Sequence, residues 1–249
     1  MTKVSRDIRI PVYRPSIEGN EKTYVNQCLD SSWISSRGEF VTRFEESFAA
    51  TLGVSGATSV SNGTVALHLA LLALGVSEGD EVIVPTLTYI ASVNAISYVG
   101  AKPVFIDSDP VSWNLDPALI EERITERTKA VMAVHLYGAV CDMGSIRSLC
   151  DRHGLRLIED VAEAFGSRLG NSHAGTFGDV ATFSFFGNKT ITTGEGGMVA
   201  AALAATKISH LQNLCPGQGS CQKPLSHNLN VNLEWKKHEA TKLRFSPVP

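Results

Sequence analysis

The sequence predicts an α/β fold: a mostly parallel sheet covered by helices on both faces. Three observations carry this. Short, continuously apolar runs recur along the chain, each ending near a Pro, Gly, Asp or His. Segments with helical periodicity separate them. Hydrophobic residues make up 43% of the 249 residues and charged residues 19%, which is ample for a buried core and too little charge for a disordered chain. Strands that are apolar throughout, and not merely on alternate residues, belong to sheets buried on both sides.

Taken in order, Met1 to Pro11 carries Lys3, Arg6, Asp7 and Arg9 among its aliphatics and lacks the apolar h-region of a signal peptide. Phe40, Phe44 and Phe48 recur at i, i+4 and i+8 and mark one face of a helix. A short run, Ala57 to Val60, precedes a helix that starts at Ser61-Asn-Gly-Thr, runs through Leu67, Leu71 and Leu74, and stops at Gly75. Strands are expected at Glu81–Pro85, Pro103–Asp107, Ala130–His135, Arg156–Asp160 and Asp179–Ser184. The rhythm breaks near residue 200. An alanine-rich stretch, Ala200 to Ala205, reads as a short helix, and a polar, Asn- and Lys-rich end follows; no acid stands between Glu195 and Glu234. One compact domain over 1–199 and a poorly specified tail over 200–249 are therefore expected.

Composition excludes several classes. Formal net charge is −3, without the basic surface that nucleic-acid binding requires, so no nucleic-acid partner is expected. No apolar run approaches the ~18–20 residues of a membrane span. Cys28, Cys141, Cys150, Cys215 and Cys221 are odd in number and form no CxxC pair, which fits a reducing, cytoplasmic setting with neither disulfide framework nor zinc site. The histidines show no metal spacing, and His135 is expected to line a strand end.

Open parallel sheets bind ligands beyond the carboxyl ends of their strands, and four strand exits carry suggestive residues. Gly63 and Thr64 open a helix, where unpaired amides and a hydroxyl suit a phosphate dianion; an ordinary N-cap has the same signature. Asp160 ends a strand, with Glu163 three residues on at what reads as a helix start. A carboxylate there suits a protonated ring nitrogen, or serves as a cap. Lys189 stands alone among aromatic and small residues in Phe183-Ser184-Phe-Phe-Gly-Asn-Lys189, ahead of a Thr- and Gly-rich loop. Apolar surroundings would favour its neutral amine, a nucleophile toward carbonyls; a surface lysine is the plainer alternative. Gly187-Asn-Lys189-Thr190 lacks the glycine spacing of a P-loop. Tyr89 leaves a strand at the same edge and is placed either to stack on a planar ring or to enter the core. An anion cradle, an aromatic, a carboxylate and an isolated lysine are together the requirements of pyridoxal 5′-phosphate.

From Ile10 to about Val199 the chain resembles the DegT/DnrJ/EryC1/StrS family of nucleotide-sugar aminotransferases, which are fold-type I pyridoxal phosphate enzymes. The resemblance rests on Ser61-Asn-Gly-Thr-Val-Ala-Leu-His-Leu-Ala, Glu159-Asp-Val-Ala-Glu-Ala-Phe-Gly and Phe183-Ser-Phe-Phe-Gly-Asn-Lys-Thr-Ile-Thr-Thr-Gly-Glu-Gly-Gly, with Trp33-Ile-Ser-Ser-Arg-Gly38 and Pro85-Thr-Leu-Thr-Tyr89 in support. It implies that Lys189 bonds the cofactor aldehyde and shuttles the reacting proton, and that Asp160 pairs with the pyridine nitrogen. It further implies Glu163 beside the cofactor's 3-oxygen, Gly63, Thr64 and Ser184 on the phosphate, and Tyr89 over the ring. Trp33, Ser35 and Gly38 would border the sugar-nucleotide pocket. The implied reaction moves an amino group from L-glutamate to C4 of GDP-4-keto-6-deoxy-D-mannose, for surface polysaccharide. Lys189 sets the chain apart from the family's dehydratase branch, where a histidine takes that place. In the family's terms, 1–199 is the large domain with an N-terminal arm at 1–37, the C-terminal small domain is missing, and the enzyme is a homodimer. The neighbouring subunit's Asn and Arg, from a Gly-Tyr-Asn-Tyr-Arg-like motif, would correspond to a region that reads Ser226-His-Asn-Leu-Asn230-Val-Asn-Leu-Glu-Trp235, where Asn228 or Asn230 is present and the arginine is not. A tail altered by a frameshift, and with it a non-catalytic chain that keeps the cofactor fold, is the alternative expectation.

Overall fold

The computed structural model describes residues 13–201. The expected tail beyond residue 201, including Asn228 and Asn230, lies outside the described residues, as do Met1 to Val12. Five α-helices occur among the described residues: α1 (Glu21–Asp30), α2 (Glu39–Leu52), α3 (Gly63–Ala73), α4 (Ile90–Tyr98) and α5 (Met143–His153). The strands are β1 (Gly56–Val60), β2 (Glu81–Pro85), β3 (Lys102–Ile106), β4 (Thr128–Val134), β5 (Arg156–Asp160), β6 (Arg168–Leu169), β7 (Ser172–His173), β8 (Val180–Ser184) and β9 (Gly197–Ala201).

Seven of these strands form one sheet in the order β1-β9-β8-β5-β4-β2-β3, and β6 and β7 form a separate small hairpin. Pairings from β3 through β8 are parallel, while β9 runs antiparallel to both β8 and β1. One reversed strand thus sits among six that share a direction. The five expected strands are all present, β2 and β5 with the expected bounds and β3, β4 and β8 shifted by a residue or two at their ends.

Strand alternation divides the core into layers. Val82, Val84, Ala130, Met132, Val134, Ile158, Val180 and Val199 meet α3 and α4 on one face. Ile83, Val131, Ala133 and Leu157 turn to the other face, against Met143, Ile146, Leu149 and Cys150 of α5. On that same face Ala181, Phe183, Met198 and Ala200 pack on Phe48 and Leu52 of α2. The Phe48 ring meets Phe183 edge-on at 4.9 Å and stacks on Phe165 at 5.1 Å. Of the predicted Phe stripe, Phe48 is the fully buried member. Helix α3 begins one residue after its cap and ends just before Gly75, whose φ of +75° supplies the left-handed turn expected of a stop signal.

Two expectations are corrected. Ala200 and Ala201 belong to β9, so the sheet crosses the expected boundary at 199 and these alanines are strand, not helix. Both edges of β9 are hydrogen-bonded, to β1 and to β8, and that tertiary pairing overrides the helical propensity of alanine. The expected arm, 1–37, contains α1, which buries no side chain and contacts α2 through Tyr24 and Phe40, with ring centroids 5.0 Å apart. No helix among the described residues is long and apolar enough to cross a membrane. Cys141 and Cys150 are buried and unbridged.

Candidate active site

The carboxyl ends of β4, β5 and β8 open into a cleft of about 530 Å³. Its walls include Gly63, Thr64, Tyr89, Asp160, Glu163, Ser184 and Lys189. The structure therefore brings together all seven residues expected to hold the cofactor, although they come from four strand exits.

The anion end is made by α3 seated against β8. Asn62 caps the helix, its side chain accepting from Val65 N at 2.9 Å, and its carbonyl accepts from Ala66 N at 3.1 Å. Helix geometry leaves the Gly63 and Thr64 amides as the first-turn donors without an intrahelical acceptor. Glycine at 63 allows the close approach: a Cβ there would lie 2.8 Å from Ser184 Cβ, too near for any side chain. Two amides, two hydroxyls and the positive end of a helix dipole suit a phosphate.

Asp160 is the last residue of β5 and 5% exposed. It accepts hydrogen bonds from Ser92 Oγ (2.8 Å) and Ala162 N (3.1 Å). Burial raises its affinity for a proton, opposed by these two donors and by the charge of Lys189. The neighbouring carboxylate has a different fate. Glu159 points to the opposite face, where Phe177 N and Gly178 N donate to Oε1 (2.7 and 2.6 Å), and Gly175 N (2.8 Å) and His135 Nε2 (3.0 Å) bond Oε2. His135, expected at a strand end, is buried there. Burial disfavours a charged ring and Glu159 favours one, but Cys141 N–H donates to Nδ1 at 3.2 Å and leaves that nitrogen without a proton. The ring is the neutral Nε2–H tautomer, donating to Glu159.

Lys189 lies in the loop between β8 and β9, whose base is closed by Phe185 N to Gly196 O (2.9 Å) and Thr193 N to Phe185 O (3.1 Å). Its side chain is 16% exposed, which removes the surface-lysine alternative. The expected apolar cage is corrected too: Lys189 Nζ is 3.3 Å from Glu163 Oε1, a carboxylate partner. Glu163 does not start a helix. Asp160 Oδ1 takes Ala162 N, Val161 O takes Ala164 N, and the chain turns back on itself; Glu163 Oε2 accepts Tyr137 N at 3.0 Å. Tyr89 caps α4 and is 72% exposed on the cleft wall, so it is not a core residue.

Trp33, Ser35 and Gly38 are not brought to this cleft. Their segment turns in on itself, the Trp33 indole lying over Gly38 so closely that a Cβ there would meet it. Sequence reasoning passed over Ser92, Glu159, Thr182, Asn188 and Glu195. Of these only Ser92 had a local signal, a hydroxyl four positions beyond that of Thr88. Among the described residues no group of three or more His, Cys, Asp or Glu could hold a metal ion.

Fold and cleft together define an α/β domain that can hold a phosphorylated ring between an anion cradle, a buried carboxylate and a lysine. Its group is more specific than that. The model of the DegT/DnrJ/EryC1/StrS aminotransferase family matches residues 15–231, and the chain belongs to this family. GDP-perosamine synthase of Escherichia coli O157:H7 is 65% identical over 190 residues, covering 76% of this chain and 52% of that protein. Two solved structures of GDP-4-keto-6-deoxymannose-3-dehydratase, a mutant with bound GDP-perosamine and the E. coli enzyme with bound hydrated PLP, match with TM-scores of 0.75 at 30% identity. Each match covers 82% of this chain and 53% of the other. The chain spans about half the length of the curated relatives it matches.

Proposed function

We propose that this chain is a pyridoxal 5′-phosphate-dependent aminotransferase domain acting on a nucleotide sugar. Its amino donor is L-glutamate and its acceptor is C4 of GDP-4-keto-6-deoxy-D-mannose, giving GDP-perosamine for O-antigen or other surface polysaccharide in the cytoplasm. The convergence of Lys189, Asp160 and the Gly63–Thr64–Ser184 cradle on one cleft is the observation that carries this reading. The similarity to GDP-perosamine synthase supports the choice of sugar.

When bound, pyridoxal phosphate supplies an aldehyde for bonding amines and a ring that takes up electron density when a C–H proton leaves. The protein's own residues do the rest. Gly63, Thr64 and Ser184 would hold the phosphate. Asp160 would pair with the pyridine nitrogen, and Tyr89 would stack on the ring. Glu163 holds Lys189 Nζ and would lie by the cofactor's 3-oxygen, and Lys189 would be the amine that carries the reacting proton as general base and acid. Lys189 favours amino transfer over dehydration, the reaction in the names of the two matched dehydratases. Homodimer formation is part of the same reading, supported by the exposed Tyr89, Tyr137 and Phe186 rings.

A second reading, a cofactor-holding chain without turnover, is favoured by one feature: the segment Ser226 to Trp235 has no arginine to meet a substrate carboxylate or phosphate. Titrating the cofactor-loaded chain with L-glutamate separates the two. Bleaching of the visible band, followed by amination of a keto-sugar nucleotide panel led by the GDP sugar, supports the first. A yellow protein indifferent to glutamate supports the second. A chain that never takes up pyridoxal phosphate overturns both.

A further inference from the structure

Asp160 is a carboxylate in a buried position, and burial works against the ionised state that pairing with a pyridinium requires. What opposes burial in the protein is a short chain of hydroxyls. Ser92, the third residue of α4 and wholly buried, places Oγ 2.8 Å from Asp160 Oδ2. Thr88 Oγ1 lies 2.9 Å from the same Ser92 oxygen. A carboxylate has no proton to give, so the Ser92 hydroxyl donates to Asp160, and its oxygen then accepts from Thr88. The chain has a direction, from Thr88 through Ser92 to Asp160.

We infer that Ser92, with Thr88 behind it, is a positioning residue that holds Asp160 ionised and aimed at the cofactor's ring nitrogen. The inference rests on the cofactor reading above and names a device that supports it from outside the cleft wall. Neither hydroxyl lines the cleft, so the pair acts through Asp160 and not on substrate. The alternatives near Asp160 do not supply the same constraint. Ala162 N occupies the other carboxylate oxygen, Oδ1, and comes from the turn that follows the strand. His135 spends its ring proton on Glu159, and Lys189 is paired with Glu163. Among the described residues, Ser92 alone reaches Oδ2 from a neighbouring element, across 68 positions of sequence. Because the hydroxyl is rooted in α4 and the carboxylate in β5, the bond fixes the Asp160 rotamer relative to the face on which α3 builds the anion cradle.

The test uses the full 249-residue chain loaded with pyridoxal phosphate labelled with ¹⁵N in the ring. The ¹⁵N resonance reports directly whether that nitrogen carries a proton, which a change in packing alone would not move. The wild-type resonance is expected in the pyridinium range. Ser92→Ala should shift it toward neutral pyridine and weaken cofactor retention by ~10-fold, the equivalent of one hydrogen bond to a charged group. Thr88→Val should shift it part of the way, and Thr88→Ser, which keeps the hydroxyl, should restore it. Folded Ser92→Ala and Thr88→Val proteins that hold the cofactor with the wild-type resonance overturn the inference. If Ser92→Ala does not fold, the Thr88→Val and Thr88→Ser pair decides: a shift in the first restored in the second supports it, and no difference overturns it. A wild-type chain that takes up no pyridoxal phosphate is a different failure, that of the cofactor reading itself.

Discussion

Glu81 and Asp160 are both carboxylates buried at strand ends, on opposite edges of the same sheet. Glu81 opens β2 and is supplied with every partner it needs from the protein: Thr125 Oγ1 at 2.7 Å, Arg127 Nη2 at 2.8 Å and Lys102 Nζ at 3.5 Å. Those partners, the Thr125 hydroxyl first and then Arg127, hold its carboxyl below the usual range. Asp160 closes β5 with a hydroxyl and an amide and no arginine, and burial pushes its carboxyl up. A buried charge complete within the fold serves stability. One left short of a positive partner is arranged for something that arrives from outside. The amino edge of this sheet is finished; the carboxyl edge is poised.

The largest effect that would sharpen this contrast is expected at Lys189. Lys189→Ala should abolish borohydride-trapped attachment of pyridoxal phosphate, seen as loss of the cofactor's mass increment, with an unchanged far-ultraviolet spectrum. Attachment that persists would mean another amine serves the cleft. Asp160→Asn should weaken cofactor binding by ~10- to 100-fold, the range of a hydrogen bond between charged groups, measured by equilibrium dialysis. An unaltered dissociation constant would dissolve the distinction between the two edges.

Glu81→Gln should act on stability alone. A carboxyl held below its ordinary value contributes stability that is present above the unfolded-state pKa and is lost as pH falls through the folded-state value. The melting temperatures of wild type and Glu81→Gln should therefore differ at neutral pH and converge in acid, with cofactor affinity unchanged throughout. A gap that widens in acid would reverse the assigned sign. The smallest effect is expected at Asp142, which caps α5 by accepting from Ser145 N at 3.1 Å and Ser145 Oγ at 2.6 Å. Asp142→Ala should cost about 1 kcal/mol of unfolding free energy in urea and leave both edges untouched.

How much of this could be read from the residues follows from the range over which each feature is determined. The apolar runs of β2, β4 and β5, and the start and stop of α3, depend on local composition and caps, and they were visible. Lys189 and Asp160 were visible as chemistry at strand exits, because the topology of a parallel sheet gathers exits together. β9 was not, since its last two residues, Ala200 and Ala201, open an alanine-rich stretch that reads as helix until pairing on both sides makes them strand. The Lys189–Glu163 ion pair spans 26 positions and the Ser92–Asp160 bond spans 68, and no periodicity encodes either. The segment from Trp33 to Gly38 shows the converse: a motif recognised in the sequence that the fold does not carry to the cleft.

The adjacent pair Glu159 and Asp160 has a consequence for which changes this chain can absorb. One side chain fastens the 175–178 loop beneath the sheet, and the next faces the cleft above it. A register slip of a single residue in β5 exchanges the two sides, delivering the longer acid to the cleft and stripping three amides of their acceptor. Insertions or deletions between 156 and 160 therefore forfeit fold and site in one event, whereas the turn at 170–171, between β6 and β7, has room for added residues.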